Sequence, residues 1–300
     1  MIIDVHTHLT SVKSYKDAKL GQYIKSISDV ARFAGKYPKL FDTRFEEEPV
    51  DISDTLIRDM DSHNISAAVC NIATGRASND FHAASVKKHP DRLIGLARLP
   101  RDSNGEETAK ELTRAIKDLG MAGIGETVLA RFAPTPPYEI HKNQELTDIM
   151  EVASRLRVPI FFHTGLNHAG GARNSQAYAD PIYVDGIAGR YPEVPVVLGH
   201  MGGEFIRFFE GALLVAMRND NVYLDTSKSR PEFVGQAVRT IGAERIMFGS
   251  DWSSMFRHVS EPIDYYNLMI KIVKEAPITQ QEKEAILFDN AARLFKVRRH

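Results

Sequence analysis

Short apolar segments rich in β-branched residues alternate with longer amphipathic segments along the whole chain. Strands that are apolar on both faces are typical of a parallel sheet covered by helices. Eight segments fit this strand pattern: residues 2–7, 65–72, 92–99, 121–126, 158–163, 194–200, 222–225 and 245–250. Helices are predicted between them and at the end of the chain, over residues 51–62, 77–88, 105–119, 144–155, 203–217, 232–240, 262–274, 279–287 and 290–295.

The alternation predicts the α/β class, and eight strand–helix units fit one closed (β/α)8 TIM barrel. We expect a single domain over residues 1–300, in which residues 9–50 form an insertion over the mouth of the barrel, with a helix at 15–33. The structural alternative is a doubly wound open sheet. It is disfavoured because no glycine-rich phosphate-binding turn follows the first predicted strand.

Composition narrows the classes of partner. The chain has 38 Lys and Arg residues against 39 Asp and Glu residues, a net charge of −1, so no strong field attracts nucleic acid or an anionic membrane. We therefore expect a small-molecule substrate and neither of those partners, and we leave a homodimer or a higher homo-oligomer open. A single cysteine, an N-terminus without the features of a signal peptide and the lack of a long apolar run favour a cytoplasmic protein.

Two histidines close the first predicted strand. Because side chains alternate along a strand, His6 and His8 are expected to share one face while Val5 and Thr7 face the opposite way. At the carboxyl end of a barrel strand, two such imidazoles would project into the mouth, where the active sites of this fold lie.

The same placement recurs in three further strands. His163 and His200 end the fifth and sixth predicted strands, and Asp251 follows the eighth. Imidazole and carboxylate groups gathered at one rim are typical of a divalent metal site. We expect zinc, with manganese, iron or cobalt as alternatives, and leave open whether one ion or two are bound.

Five motifs follow one another along the chain: Asp4-Val5-His6-Thr7-His8, the strand that ends at His163, Leu198-Gly199-His200-Met201-Gly202-Gly203, Phe248-Gly249-Ser250-Asp251-Trp252 and Asn290-Ala291-Ala292-Arg293-Leu294-Phe295. They resemble the motifs of the amidohydrolase superfamily, and within it the family-2 group that includes aminocarboxymuconate semialdehyde decarboxylase-like enzymes. Each motif alone is weak. In this order they cover nearly the whole chain, which makes the resemblance specific.

The resemblance implies a distorted TIM barrel in which His6, His8 and His163 bind the metal. It also implies that Asp251 either completes the metal site or serves as the base. His200 would bind a second metal in a binuclear site, or polarise the substrate or shuttle a proton in a mononuclear one.

Glu126, at the end of the fourth predicted strand, stands where binuclear members of the superfamily often carry a carboxylated lysine. It is similar to the glutamate ligand of the TatD-like deoxyribonucleases. The other interpretation is a carboxylate that orients a metal-bound histidine. Both roles stay open on the sequence.

The favoured function is metal-dependent hydrolysis of a small amide, lactone or other ester. A divalent ion lowers the pKa of bound water from about 15.7 to about 7, Asp251 can take its proton, and His200 can stabilise the oxygen that becomes negative. The alternative is a metal-dependent nonoxidative decarboxylase of a small carboxylated substrate. A third hypothesis, a barrel that binds a ligand without catalysis, is disfavoured because none of the expected ligand residues is missing.

Four residues near the rim are candidates for substrate contact: Arg98, His168, Arg173 and Trp252. A carboxylated substrate would suit an arginine fork, and Lys228 adds a cation after the seventh predicted strand. The alternative for each charged residue is a solvated loop position. Trp252 forms either a pocket wall or a plug at the barrel rim.

Overall fold

The computed structural model describes residues 1–11, 49–72, 77–100, 103–166, 175–252 and 264–298. The strands are β1 (Ile2–His8), β2 (Thr10–Ser11), β3 (Val50–Asp51), β4 (Ile65–Asn71), β5 (Leu93–Gly95), β6 (Ile124–Thr127), β7 (Ile160–His163), β8 (Val196–Gly199), β9 (Val222–Asp225) and β10 (Ile246–Met247). The α-helices are α1 (Ser53–Ser62), α2 (Asn79–Val86), α3 (Gly105–Lys117), α4 (Gln144–Leu156), α5 (Asp185–Arg190), α6 (Ile206–Arg218), α7 (Pro231–Ile241), α8 (Tyr265–Lys274), α9 (Gln280–Glu284) and α10 (Asn290–Phe295).

Eight parallel strands follow one another in a ring. One sheet has the order β1-β4-β5, and the other contains β6, β7, β8, β9 and β10 in chain order. Parallel bridges join the two sheets at both junctions, between Ala97 and Ile124 after β5 and between Thr7 and Trp252 after β10. The second junction is closed further by the His8 N–H, which donates to the carbonyl oxygen of Trp252 at 2.8 Å. The predicted (β/α)8 TIM-barrel class is confirmed.

The alternation of side chains along the strands separates two buried layers. The residues that pack inside the ring are Ile3, Val5, Ala67, Val69, Leu96, Phe161, Val197 and Met247, together with Phe288 and Ala291 from the C-terminal helical segment. Their strand neighbours, such as Ile160 and Phe162, belong to the layer between strands and helices. The next inward position on β7 after Phe161 is His163. The inner apolar layer thus supports a polar layer at the carboxyl ends of the strands.

Between Asp4 and Thr7, strand β1 contains one residue more than the paired part of β4. Asp4 pairs with Ala68 and Thr7 pairs with Cys70, so three steps on β1 match two on β4. Such a bulge reverses the alternation of side chains. The expectation that Val5 faces away from His6 is therefore wrong, since Val5 packs inside the ring and the His6 ring lies 4.8 Å from the inward-facing Phe161.

Several helices begin at side-chain caps. Asn104 and Glu107 form reciprocal hydrogen bonds at the start of α3, and the Asn143 side chain accepts from the backbone at the start of α4. The predicted helix over 279–287 is interrupted. After α9 the chain forms a π-helical segment, Ala285–Asp289, whose wider turn accompanies the burial of Ile286 and Phe288.

The predicted insertion over the barrel mouth lies largely outside the described residues, since the description omits residues 12–48 and with them the helix predicted at 15–33. The chain on either side of this segment is paired, because β2 and β3 form an antiparallel ladder in which Thr10 lies opposite Asp51. The single-domain organisation stays a prediction. Among the described helices, none has the length and apolar character needed to cross a membrane.

Candidate metal centre and active site

Polar side chains converge at the carboxyl ends of the ring strands. Three overlapping groups of ligand atoms each lie within 4.8 Å of one another: His6, His200 and Asp251; His6, His8 and Glu126; and Glu126, His163 and His200. We call these six residues the ligand cluster. The structure therefore brings together all of the metal and catalytic residues expected from the sequence, including Glu126.

His6 is oriented by a carboxylate on a neighbouring strand. The Nδ1–H group of His6 donates to Asp225 Oδ2 at 2.7 Å, and both side chains are fully buried. Because Nδ1 is engaged, Nε2 faces the centre of the ligand cluster, 3.5 Å from Glu126 Oε2 and 3.4 Å from Asp251 Oδ1. This arrangement orients the His6 ring, as carboxylates behind metal-bound histidines commonly do.

Glu126 lies between all four histidines of the cluster. Its Oε1 is 2.8 Å from His163 Nδ1 and 3.7 Å from His200 Nε2, while its Oε2 faces the Nε2 atoms of His6 and His8. If Glu126 served only to orient the His163 ring, one carboxylate oxygen would be enough for that contact. The second oxygen points to the same centre as the other ligands, which favours metal binding by Glu126.

The two carboxylate oxygens of Asp251 contact different partners, one in the ligand cluster and one at the rim. Oδ1 lies 2.8 Å from His8 Nε2, facing the ligand cluster, and Oδ2 contacts the Nζ of Lys228. The Lys228 side chain is 17% exposed, so this ion pair is only partly accessible to solvent. Asp251 is therefore shared between the cluster and a cation at its rim.

His200 is held by Ser227. Its Nδ1 lies 2.7 Å from Ser227 Oγ, and its Nε2 lies 3.2 Å from His163 Nδ1. Asp225 supports the same region, since it accepts the backbone N–H of His200 at 3.0 Å and that of Ser227 at 2.7 Å. One buried carboxylate thus connects His6, His200 and Ser227.

The charges of the cluster are strongly coupled. Burial opposes the charged form of His6, but Glu126, Asp225 and Asp251 outweigh it and raise the pKa of His6 well above its usual value. Burial likewise opposes ionisation of Glu126, yet His6 and His163 hold its pKa well below the usual range. The three carboxylates around His6 therefore favour positive charge at this position.

At the rim, the positive charge of Lys228 lowers the pKa values of both Asp251 and His200. Burial would raise the pKa of Asp251, but Lys228 and the histidines His6 and His8 hold it well below the ordinary value. Burial and the nearby positive charge of Lys228 also lower the pKa of His200 well below its usual value. His200 is therefore neutral and Asp251 ionised in this arrangement.

The residues present fit a divalent cation. His6 Nε2 is buried and has no hydrogen-bond partner within the described part of the chain, although two carboxylates face it at about 3.5 Å. A cation between these groups would use the nitrogen lone pair and balance the negative charge of Glu126 and Asp251. Mixed imidazole and carboxylate ligands suit zinc, manganese, iron or cobalt.

Three site residues have left-handed backbone conformations, which are uncommon for residues other than glycine. The φ angles are 64° for His200, 53° for Lys228 and 55° for Asp251. Each follows the end of a ring strand. Backbone strain of this kind is typical of functional sites, where it directs side chains that a regular strand would place elsewhere.

A second buried carboxylate secures the junction between β1 and the chain after β10. Asp4 Oδ1 accepts the backbone N–H groups of His6 at 3.0 Å and Ser250 at 2.9 Å, and Asp4 Oδ2 accepts the Ser250 hydroxyl at 2.5 Å. Since Ser250 precedes Asp251, this contact holds the two ends of the ring in register at the site.

Of the four residues expected to contact substrate, Arg98 and Trp252 are described by the structure and make contacts within the protein. Arg98 donates to the carbonyl oxygen of Ala77 at 3.1 Å. Trp252 is buried at the ring junction, and its Nε1–H donates to Asp59 of α1 at 2.9 Å. His168 and Arg173 lie outside the described residues. Substrate contact by these four residues stays a prediction.

Sequence reasoning missed Asp225 and Ser227. Asp225 closes a predicted strand, so the strand-end rule that identified the histidines could have found it. Ser227 carried no comparable signal, because its function depends on its distance from His200.

A ring of eight parallel strands with a histidine and carboxylate cluster at the carboxyl ends defines the class of barrel metalloenzymes. The family model described as Amidohydrolase matches residues 3–297. The chain belongs to the amidohydrolase family.

Curated relatives match most of the chain. Gamma-resorcylate decarboxylase of Polaromonas sp. (strain JS666) is 26% identical over 303 aligned residues, covering 83% of this chain and 89% of the relative. Gamma-resorcylate decarboxylase of Rhizobium sp. (strain MTP-10005) is 24% identical over 317 residues, covering 88% and 93%.

A solved structure shows the same fold. The dihydroxybenzoic acid decarboxylase of Polaromonas sp. JS666, crystallised with manganese and the inhibitor 2-nitroresorcinol, aligns with a TM-score of 0.62 and 21% identity, covering 100% of this chain and 98% of that chain. The expectation of a hydrolase is wrong, because the relatives matched over most of this chain are decarboxylases. The decarboxylase alternative is the one that the comparisons support.

Proposed function

We propose that this protein is a metal-dependent decarboxylase that removes CO₂ from a small aromatic carboxylate with a hydroxyl group beside the carboxyl group. The observation that carries the proposal is the match, over 83% of the chain, to a gamma-resorcylate decarboxylase, combined with an intact ligand cluster. The substrate class follows from the names of the relatives, and 2,6-dihydroxybenzoate is the first compound to test.

Nonoxidative decarboxylation needs a proton and no external oxidant. The bond between the ring carbon and the carboxyl carbon breaks, its electron pair stays on the ring carbon, and that carbon gains a proton while CO₂ leaves. An enzyme can assist by delivering the proton at the right carbon and by binding the hydroxyl and carboxylate oxygens.

We assign the proton transfer to Asp251. Its Oδ2 contacts Lys228 at the rim while its Oδ1 faces His8 in the ligand cluster, so this carboxylate lies between the two. Because Lys228, His6 and His8 hold the pKa of Asp251 low and keep it ionised, Asp251 first takes up a proton from the medium and then passes that proton to the ring carbon. Neutral His200, held by Ser227, is suited to hydrogen bonding with a substrate oxygen.

The residues that would hold the metal are His6, His8, Glu126, His163 and Asp251. When bound, a divalent ion would supply positive charge that binds oxygen atoms of the substrate and stabilises negative charge on them. Manganese is the metal to test first, because a relative of the same fold was crystallised with it, and zinc is the second.

Substrate comparison tests the proposal. Purified protein supplied with manganese is incubated with 2,6-dihydroxybenzoate, 2-hydroxybenzoate and 4-hydroxybenzoate, and CO₂ and phenolic products are quantified. We expect CO₂ and resorcinol in equal amounts from the first compound, CO₂ and phenol in equal amounts from the second, and little product from the third, which lacks the neighbouring hydroxyl group. Hydrolysis of lactones or amides in a parallel screen, with no CO₂ from any benzoate, would contradict the proposal.

A further inference from the structure

We propose that Lys228 is the residue that binds the carboxylate of the substrate before CO₂ leaves, and so determines the preference for an anionic substrate. The inference rests on the proposed function and adds to it the residue that selects for charge. It concerns a position that the strand pattern alone does not distinguish from a solvated loop lysine.

Lys228 occupies a constrained position beside the reacting groups. It lies three residues after Asp225 at the end of β9, its φ angle of 53° is left-handed, and its Nζ contacts Asp251 Oδ2. The side chain is 17% exposed, in contrast to Lys142, which is 61% exposed and pairs with Glu139 on the surface. A strained backbone and a largely buried ammonium group are unusual for a lysine that serves only solubility.

Two arginines of the described chain, Arg98 and Arg230, contact other groups of the protein. Arg98 donates to the carbonyl oxygen of Ala77. Arg230 faces Glu204 at 3.9 Å and is half exposed. Among the described residues, Lys228 is the lysine or arginine in direct contact with the ligand cluster.

The geometry of the reaction places the substrate carboxylate near this ammonium group. If Asp251 delivers a proton to the ring carbon, that carbon lies next to Asp251. The carboxyl group is attached to the same carbon, so it lies one bond further away and within reach of the lysine that contacts Asp251. A lysine ammonium has three donors on a flexible stem, so it can contact Asp251 and a second carboxylate together.

The timing of charge loss predicts which kinetic constant depends on Lys228. The carboxylate is anionic in the bound substrate and becomes neutral CO₂ as the bond breaks. An ion pair with Lys228 therefore stabilises the bound substrate at least as much as the transition state, and its loss should weaken binding without slowing the chemical step. A lysine that only neutralised Asp251 would affect charged and neutral ligands equally.

The test compares binding of a charged and a neutral ligand. Calorimetry on the full chain supplied with manganese gives the affinities for 4-hydroxybenzoate, a carboxylate expected to release little CO₂, and for 4-hydroxybenzamide, in wild type, Lys228→Gln, Lys228→Arg and the surface control Lys142→Gln. For Lys228→Gln we expect a loss of about tenfold or more in affinity for the carboxylate and little change for the amide. Lys228→Arg should retain most of the preference, and Lys142→Gln should match wild type.

Steady-state kinetics supply a second readout. Lys228→Gln should raise KM by about tenfold while kcat holds or rises. The inference is overturned if the carboxylate and the amide weaken equally, if neither weakens, or if wild type shows no preference for the carboxylate. A clear carboxylate preference that depends on Lys228, in a protein that releases no CO₂, would instead reject the proposed function and leave the anion site standing.

Discussion

Two carboxylates of the site, Glu126 and Asp225, illustrate how position decides the role of a residue. Glu126 places both oxygens among the histidines, whereas Asp225 faces His6 Nδ1 and the backbone of His200 from behind. We therefore propose Glu126 as a metal ligand and Asp225 as a positioning residue. The sequence places both at strand ends and cannot separate the two roles, because they differ only in which side of an imidazole each carboxylate contacts.

Replacement of Asp225 should weaken metal binding. Asp225→Asn keeps the shape but loses the charge that orients His6, so we expect the affinity for manganese to fall by about tenfold to hundredfold. Metal titration monitored by calorimetry measures this, with the fully exposed Asp220→Asn as control. Wild-type affinity in a folded Asp225→Asn protein would show that His6 needs no such support.

Replacement of Asp251 should stop the chemistry. Asp251→Asn cannot carry the proton, so we expect kcat to fall by about 10² to 10⁴ at saturating metal. Circular dichroism and metal analysis confirm that the variant is folded and loaded. A rate near that of wild type under these conditions would mean that another group delivers the proton.

At the scale of elements, the strand pattern was enough to locate every ring strand, since the eight apolar segments match β1 and β4 to β10. The bulge in β1 was not predictable, because it depends on how Asp4 and Thr7 pair with a strand distant in sequence. The pairing of strands also explains Gly249. A Cβ at this position would lie 2.0 Å from Asp225 Oδ1 and 2.9 Å from the Cβ of His6.

Gly249→Ala should damage the site through this close approach. The added methyl group must displace Asp225 or His6, so we expect a loss of about 1–3 kcal/mol in unfolding free energy and weaker binding of manganese. Urea unfolding and metal titration measure the two effects. If both match wild type, the strand ends are less tightly packed than the structure indicates.

The helix α2 carries a histidine that should make stability depend on pH. His82 is fully buried, its Nε2–H donates to the carbonyl oxygen of Cys70 at 2.9 Å, and burial lowers its pKa from 6.5 to about 4. Because the unfolded chain binds a proton more readily, this residue removes stability as pH falls from about 6.5 to about 4, by about 3 kcal/mol in total.

In His82→Gln, the free energy of unfolding should therefore fall less steeply than in wild type as the pH is lowered from about 6.5 to about 4. Urea unfolding of wild type and variant between pH 4 and 7 measures the difference in slope. Parallel curves over this range would indicate that His82 is protonated in the folded protein or accessible to solvent.

At the scale of the whole molecule, the ligand cluster collects residues from β1, β6 and β7 and from the segments after β8 and β10. The order of these strands around the ring was predictable from the alternation of strands and helices, and so was the convergence of their ends. The reaction was not, because the same ligands serve hydrolysis and decarboxylation, and the sequence argument favoured the wrong one.

A metal held by both ends of the ring should stabilise the fold as well as support turnover. A ligand that binds only the folded state raises stability, by about 2.7 kcal/mol at a hundred times its Kd. Removal of metal by a chelator should therefore abolish CO₂ release and lower Tm by several degrees, and manganese should restore both. Equal melting and equal turnover with and without metal would exclude a metal-dependent reaction.

The most direct test of the account follows the proton and the carboxyl carbon together. Metal-loaded protein converts carboxyl-¹³C-labelled 2,6-dihydroxybenzoate in deuterated water, and mass spectrometry with NMR reads the products. The account predicts labelled CO₂ and resorcinol with one deuterium at the carbon that carried the carboxyl group. Absence of labelled CO₂, or deuterium at other ring carbons only, would contradict decarboxylation by proton delivery at this site.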